Sequence, residues 1–354
     1  MRKNTQILSI LLAGIAMFAM IIDSKTAFSG ASEGISLCIK VVIPSLFPFM
    51  IVSMILTGFA SELHMVPNRT LQRWLTLTPQ GFKVYLIGLL GGYPVGAQCI
   101  KQAYTIGTIS KSDAERMLAF SNNAGPAFIF GIGLHILGQP WMCWAVWIIH
   151  ILASCITAAL TPVHTPEKNF LKDFHNDIPK QSHLIQHGVV VISTVCSWII
   201  LFKVILAFLE RWLLWFLPQP LAITISGLLE LANGITNLSA LPSPEIRMIL
   251  FSTLLGFGGI CVLLQTKTVL AESGLSCKNY FPGKLMHGAV SFLLSLLVAS
   301  FAYRKNLFLP YFIPAFVSVL LCIFYRISFI KHKNGIAFFL QPLYNGKKSR
   351  RLSL

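Results

Sequence analysis

Apolar runs separated by short polar or basic segments recur along the whole chain, at residues 7–22, 41–60, 117–137, 141–160, 188–209, 248–264, 288–303 and 307–325. Most approach the roughly 20 residues that a helix needs to cross the hydrocarbon core of a bilayer. Two further apolar segments differ: 84–97 is short and rich in glycine, and 221–241 is broken by polar residues. A regular crossing is not expected of either, and both predict re-entrant hairpins that return to the side they entered from. The fold class that follows is all-α, a polytopic membrane helix bundle of about eight crossings plus two re-entrant hairpins.

Composition supports this pattern. Of 354 residues, 55% are hydrophobic, 11% are charged and mean hydropathy is +0.71, more apolar material than one soluble core uses. The net charge of +16 would suit nucleic acid if it formed a solvated face, but the basic residues punctuate apolar runs, so no nucleic-acid partner is expected and the bilayer is. If the N-terminus is cytoplasmic and both hairpins return, residues 61–83, 98–116, 162–187, 265–287 and 326–354 lie inside. With Arg2 and Lys3 they hold 21 of the 28 Lys and Arg. Lys25, Lys40, Arg211, Arg247, Arg304 and Lys305 lie outside and Lys203 within a crossing. That asymmetry puts both termini in the cytoplasm. The first run is read as a retained helix rather than a signal peptide, because no A-x-A cleavage site follows it.

On this topology the hairpins enter from opposite faces, as in an inverted repeat with broken helices. The chain holds a faint copy of itself to match. Gly88-Leu-Leu-Gly-Gly92-Tyr93-Pro94-Val-Gly96 aligns with Gly227-Leu-Leu-Glu230-Leu-Ala-Asn233-Gly234, and Met117–Ser121 reads against Met248–Ser252, placing Gly125 against Gly256.

Candidate chemistry lies in three segments. Proline removes a donor and glycine favours non-helical backbone, so Gly92, Tyr93, Pro94 and Gly96 mark a break whose freed amides and carbonyls survive in lipid only if buried or facing a wet cavity. Asn122 and Asn123 stand at membrane depth before the break at Gly125-Pro126, where carboxamides suit a carboxylate or heteroaromatic ligand. Bonding between neighbouring helices is their other reading. Glu230, an acid inside a membrane segment, is the ion-coupling candidate: it would bind a proton or, ionised, hold Na⁺ with Asn233. Its structural alternatives are an ion pair with Lys203 or a side chain snorkelling to an interface. Ser252 and Thr253, at the repeat positions of Ser121 and Asn122, are expected to complete a polar lining.

Other features carry less. The eight cysteines lack CxxC spacing and behave as small hydrophobes, so neither disulfides nor a zinc site is expected. The histidines 164, 175, 183 and 187 fall in a solvated linker without ligand spacing, and the tail Lys347-Lys348-Ser349-Arg350-Arg351 suits anionic lipid. No hydrolase, zinc-protease, Walker or dinucleotide motif appears, so the chain is not expected to be an enzyme or an ATP-driven pump, and no cofactor is expected beyond a coupling proton or sodium ion.

Gly91-Gly-Tyr-Pro-Val-Gly-Ala97, then Asn122-Asn-Ala-Gly-Pro126, then Gly227-Leu-Leu-Glu230 resemble the nucleoside-recognition, or Gate-domain, membrane proteins, most nearly their sporulation integral membrane protein subfamily, over residues 41–275. That group is related to concentrative nucleoside transporters, so the resemblance implies inverted repeats of hairpin plus broken helix and a transport role. For the sporulation subfamily it implies dipicolinate as cargo, in a membrane surrounding the spore. Tyr93, Asn122, Asn123, Gly125, Pro126, Glu230 and Asn233 match the group's polar and breaking positions, whereas 252–259 has no asparagine pair or proline. The organisation expected is an N-terminal helix and outer loop (1–40), a first Gate-type repeat (41–161), a cytoplasmic linker (162–187), a second, inverted repeat (188–287) and two C-terminal helices with the basic tail (288–354). The function expected is secondary transport or facilitated passage of a small polar anion as substrate, with a non-transporting membrane scaffold as the alternative and homo-oligomerisation left open.

Overall fold

The structure, a computed structural model, describes residues 2–59, 69–162 and 181–303. The expected crossing at 307–325, the basic tail and most of the histidine-bearing linker lie outside the described residues. Among those described, every regular element is helical.

The chain enters through α1 (Arg2–Ile22) and α2 (Ser24–Leu37), which passes through a π turn at Cys38–Val42 into α3 (Ile43–Gly58). The sequence places an outer loop over 23–40; helix is found there instead. Its physical reason is packing on α10 (Gln181–Leu209). A Cβ on Gly30 would stand 2.9 Å from the Lys203 carbonyl, and one on Gly34 would stand 2.8 Å from the Ile200 Cα. Small residues four apart thus bring the two backbones together. The charges of the segment are paired across the same seam, Glu33 with Lys203 at 3.0 Å and Asp23 with Arg211 at 2.8 Å.

After α4 (Arg69–Leu75) comes the first hairpin, α5 (Pro79–Gly91) and α6 (Val95–Thr105). The expected crossing over 117–137 is a broken one. The short α7 (Lys111–Met117) unwinds, 121–125 is irregular, and α8 (Pro126–Leu137) restarts with proline in its first turn, where the missing N–H costs nothing. The continuous α9 (Pro140–Leu160) and α10 follow. The second half repeats the plan. A hairpin of α11 (Gln219–Leu229) and α12 (Leu231–Asn237) precedes a broken helix, α13 (Pro244–Phe257) and α14 (Gly259–Val269), and then α15 (Tyr280–Ala302).

The glycines aligned in sequence are the crossing points of the two hairpins. A Cβ on Gly88 would lie 3.1 Å from the Gly96 Cα, one on Gly227 would lie 3.3 Å from the Gly234 Cα, and one on Gly234 would strike the Gly227 Cα outright. The break in the second repeat falls later than the sequence match suggests. Gly256 stays helical, because a Cβ there would press at 2.6 Å on the Ser291 hydroxyl of α15. The turn is made instead at Gly258 and Gly259, with φ of +85° and +84°, a region that β-carbon-bearing residues avoid.

Polar contacts sort the segment ends into two groups. At one end Arg116 donates to the carbonyls of Leu75, Thr76 and Ala158, Lys101 donates to Val269 at 2.9 Å, and the Ser276 N–H donates to Glu115. The open end of the first hairpin is here. At the other end lie the Asp23–Arg211 pair and the bond from Arg247 to the Ile136 carbonyl, beside the ends of the second hairpin. The two hairpins therefore enter from opposite ends, with the tips at mid-depth.

Among the described residues, five helical stretches are long and apolar enough to cross a membrane: Ser24–Gly58, Pro140–Leu160, Leu184–Leu214, Pro244–Val269 and Tyr280–Ala302. Ile10, Ile21, Phe28, Trp215 and Phe301 are largely exposed on the outside, a surface that lipid and not water accommodates. Substituting Gly234→Ala is expected to lower stability by about 1–3 kcal/mol through overpacking at the hairpin crossing, read as a lower midpoint of thermal denaturation in detergent. Gly131→Ala, where nothing lies within 4 Å, should leave that midpoint in place; equal responses would contradict the crossing.

Candidate functional site

Both hairpin tips and both broken helices contribute to one cavity of about 50 Å³. Tyr93 lines it from the first tip, Ala124 and Gly125 from the first break, Glu230 from the second tip and Gln265 from α14. Its volume takes a few waters.

The first tip forms where α5 ends at Gly91 and Gly92 takes φ +83°, followed by Tyr93 and Pro94, whose peptide is cis. Gly92 sits against the first break, since a Cβ on it would lie 3.2 Å from the Gly125 N and one on Gly125 would lie 3.0 Å from the Gly92 N. Gly96, in the first turn of α6, abuts the Ser121 carbonyl. The Tyr93 hydroxyl donates at 2.7 Å to the Leu255 carbonyl, near the end of α13, where the helix no longer supplies donors to its last carbonyls. One side chain of the first repeat thus closes the broken helix of the second.

Asn122 and Asn123 are fully buried and bonded within the protein. Asn122 Oδ1 accepts from the Ala97 N–H at 3.2 Å, while its Nδ2 donates to Thr266 Oγ1 and the Tyr280 hydroxyl, both at 3.0 Å. Asn123 Nδ2 donates to the Phe120 carbonyl at 2.7 Å and to Ser154 Oγ at 3.1 Å. Neither carboxamide lines the cavity; the residues just after them do. The pair shapes the break and ties it to α6, α9, α14 and α15.

Glu230 lies between α11 and α12 in extended conformation, 2% exposed. Its carboxylate caps α12, taking the Ala232 N–H at 3.0 Å and the Asn233 N–H at 2.7 Å. The side chain of Asn233 turns away, accepting from Lys203 Nζ at 2.7 Å and facing Glu210. Lys203 has its ion pair with Glu33 rather than Glu230. Ser252 and Thr253 stay inside α13, the threonine hydroxyl folded back to the Ile249 carbonyl at 2.7 Å, and neither lines the cavity. The Gly258–Gly259 turn holds the corresponding place: a Cβ on Gly259 would lie 3.4 Å from the Leu231 N.

Sequence reasoning missed Lys284, His287 and His150. It assigns residues 265–287 to a cytoplasmic loop, whereas α15 begins at Tyr280 and buries Lys284 and His287. Lys284 Nζ donates to the Tyr93 hydroxyl at 3.3 Å and to Asn123 Oδ1 at 3.2 Å, and sits 4.9 Å from the centre of the Tyr93 ring. His150 Nε2 accepts the Ala124 N–H at 3.0 Å. The available signal was spacing: Tyr280, Lys284 and His287 fall on one helical face with Gly283 and Gly288 beside them. Among the described residues no three His, Cys, Asp or Glu side chains gather as metal ligands, and the cysteines are free thiols.

An all-helical bundle with lipid-compatible flanks, and with two hairpins and two interrupted helices closed around a buried polar centre, is a polytopic integral membrane protein. No family model matches the chain, and no solved structure does. The chain is similar to the curated "Sporulation integral membrane protein YlbJ" of Bacillus subtilis (strain 168), 25% identical over 340 residues and covering 83% of each protein.

The Glu230 cap has a measurable consequence. Glu230→Ala leaves two buried N–H groups without an acceptor and is expected to cost about 1–3 kcal/mol, seen as a lower thermal midpoint in detergent. Glu230→Gln keeps a carbonyl acceptor and should lose less; equal losses would mean that the carboxylate oxygens do not cap α12.

Proposed function

We propose that the chain is a gradient-driven secondary transporter or facilitator of a small polar anion, built on Gate-type inverted repeats, with dipicolinate during endospore formation as the leading cargo. The observation that carries the reading is the cavity at which two hairpin tips entering from opposite ends meet two broken helices. That is how alternating-access carriers place a site near mid-depth, within reach of either side. The similarity to a protein named for sporulation and the resemblance of the Gly-Tyr-Pro-Val-Gly and Asn-Asn-Ala-Gly-Pro segments favour a carrier working in a spore-surrounding membrane. The basic residues at the end holding Lys101 and Arg116 favour a cytoplasmic position for that end, with the N-terminus on the same side.

In this reading the half-helices that begin at the cavity offer N–H groups, and those that end there offer carbonyls, to a solute that carries both charge and polar atoms. The chain performs no covalent chemistry. Alternating access requires each hairpin to shift against the opposite repeat during a cycle.

Purified protein in liposomes is expected to accumulate dipicolinate when a proton or sodium gradient is imposed, and Glu230→Gln to slow the initial rate at least about tenfold. In spores, the same substitution is expected to lower dipicolinate content. Absence of flux with every candidate anion, together with unchanged spore dipicolinate in the variant, would overturn transport and leave the scaffold role.

A further inference from the structure

Lys284 is 1% exposed and lies in the second turn of a membrane-length helix. Its three contacts, the Tyr93 hydroxyl, the Tyr93 ring face and the Asn123 carbonyl oxygen, are all uncharged. Among the described residues no carboxylate comes within ion-pair distance of it. An uncompensated ammonium at such depth is costly, so its charged form is favoured only when a negative charge arrives beside it. The way in is short: Tyr93 also lines the cavity, as do Ala124 and Gly125, which directly follow Asn123.

We propose that Lys284 is at once the counter-charge for the anionic cargo and the carrier of the coupling proton, so that a carboxylate and a proton enter and leave together. This rests on the transport reading above. A proton from solvent adds to the Nζ lone pair as the anion enters, and both are released at the opposite face; no bond of the cargo changes. The coupling is reciprocal, because an anion that favours the ammonium is itself held more tightly by it.

The neighbouring titratable groups are occupied differently. Tyr93 of the first hairpin donates its proton to the Leu255 carbonyl. Tyr280 of α15 accepts from Asn122. His150 of α9 takes the Ala124 N–H on Nε2, so its hydrogen is on Nδ1. His287 lies 3.1 Å through Nε2 from the His150 carbonyl and must donate there, which leaves its Nδ1 bare. The two imidazoles stack with centres 4.5 Å apart, and the bond accepted at Nε2 keeps the His150 ring neutral. The ionisable residues of α13, Glu245 and Arg247, stand in its first turn, away from this end. Glu230 also reaches the cavity, where its carboxylate accepts from two backbone N–H groups and caps α12. Lys284 is the group here whose charge no neighbour balances.

The test is titration calorimetry of the full chain in detergent with dipicolinate as probe, run across pH in buffers of differing ionisation heat. The wild type is expected to take up about one proton per anion bound, with affinity falling about tenfold per pH unit on the alkaline side. Lys284→Arg, whose charge does not titrate, should bind without proton uptake and without that slope. Lys284→Met should bind at least about tenfold more weakly at every pH. Should the methionine variant fail to fold by gel filtration, the arginine variant decides alone. Retention of the proton uptake and slope in Lys284→Arg would overturn the assignment, as would their loss in His287→Gln while Lys284→Arg keeps them. A wild type that binds no dicarboxylate would overturn the transport reading and this inference with it, an outcome visible before any variant is made.

Discussion

Interrupting a helix inside a bilayer leaves N–H and C=O groups with no water to take them, at a cost of several kcal/mol for each one left unpaired. Four interruptions meet at the centre of this chain, and each is closed by one buried polar side chain. Asn122 takes the Ala97 N–H of the first hairpin, His150 takes the Ala124 N–H of the first break, Glu230 takes the Ala232 and Asn233 N–H groups of the second hairpin, and Tyr93 gives its hydroxyl hydrogen to Leu255 near the second break. The polar residues that look functional in sequence are therefore what permits the irregular backbone to exist. The pairings also cross between halves: Tyr93 reaches from the first repeat to the second, and Asn122 reaches Thr266 and Tyr280. Movement of a hairpin that admits a solute must exchange some of these bonds for bonds to the solute, which gives a polar cargo a direct thermodynamic handle on conformation.

Much of the plan was legible in the sequence because glycine and proline act locally. The Gly-Tyr-Pro run at Gly92–Pro94 and the Gly125-Pro126 step mark breaks by their own backbone chemistry, and the alignment of Gly88–Gly96 with Gly227–Gly234 marks the two hairpins whose crossings those glycines make. Lipid-facing stretches were equally plain, since apolar length is a one-dimensional property. What sequence could not supply was the direction of side chains. Asn233 shares a motif with Glu230 yet turns to Lys203, and Ser252 and Thr253 stay within α13 because Gly256 packs on α15 and delays the turn to Gly258. Long-range partners were also invisible: the helix at 24–37 depends on the glycine seam and ion pairs with α10, which no local pattern reveals.

Lys284 and His287 were hidden by the rule that served best elsewhere. Basic residues at the edge of an apolar run ordinarily mark a membrane boundary, as Lys101 and Arg116 do here. Lys284 departs from it because Gly283 lets α15 approach Ala119 closely, which draws the first turns of the helix into the bundle beside Tyr93 and Asn123. A charge-counting argument reads such a lysine as topology, and only tertiary packing reveals it as part of the polar centre.

The central claim is that the two interrupted segments are hairpins whose open ends face opposite sides of the membrane. Single cysteines placed by Pro79→Cys, Thr105→Cys, Gln219→Cys and Ser239→Cys in a cysteine-free background, labelled in sealed vesicles with a membrane-impermeant thiol reagent, test it most directly. Positions 79 and 105 should react from one side only, and 219 and 239 from the other only. Labelling of the two ends of either hairpin from opposite sides would show a continuous crossing there and contradict the account.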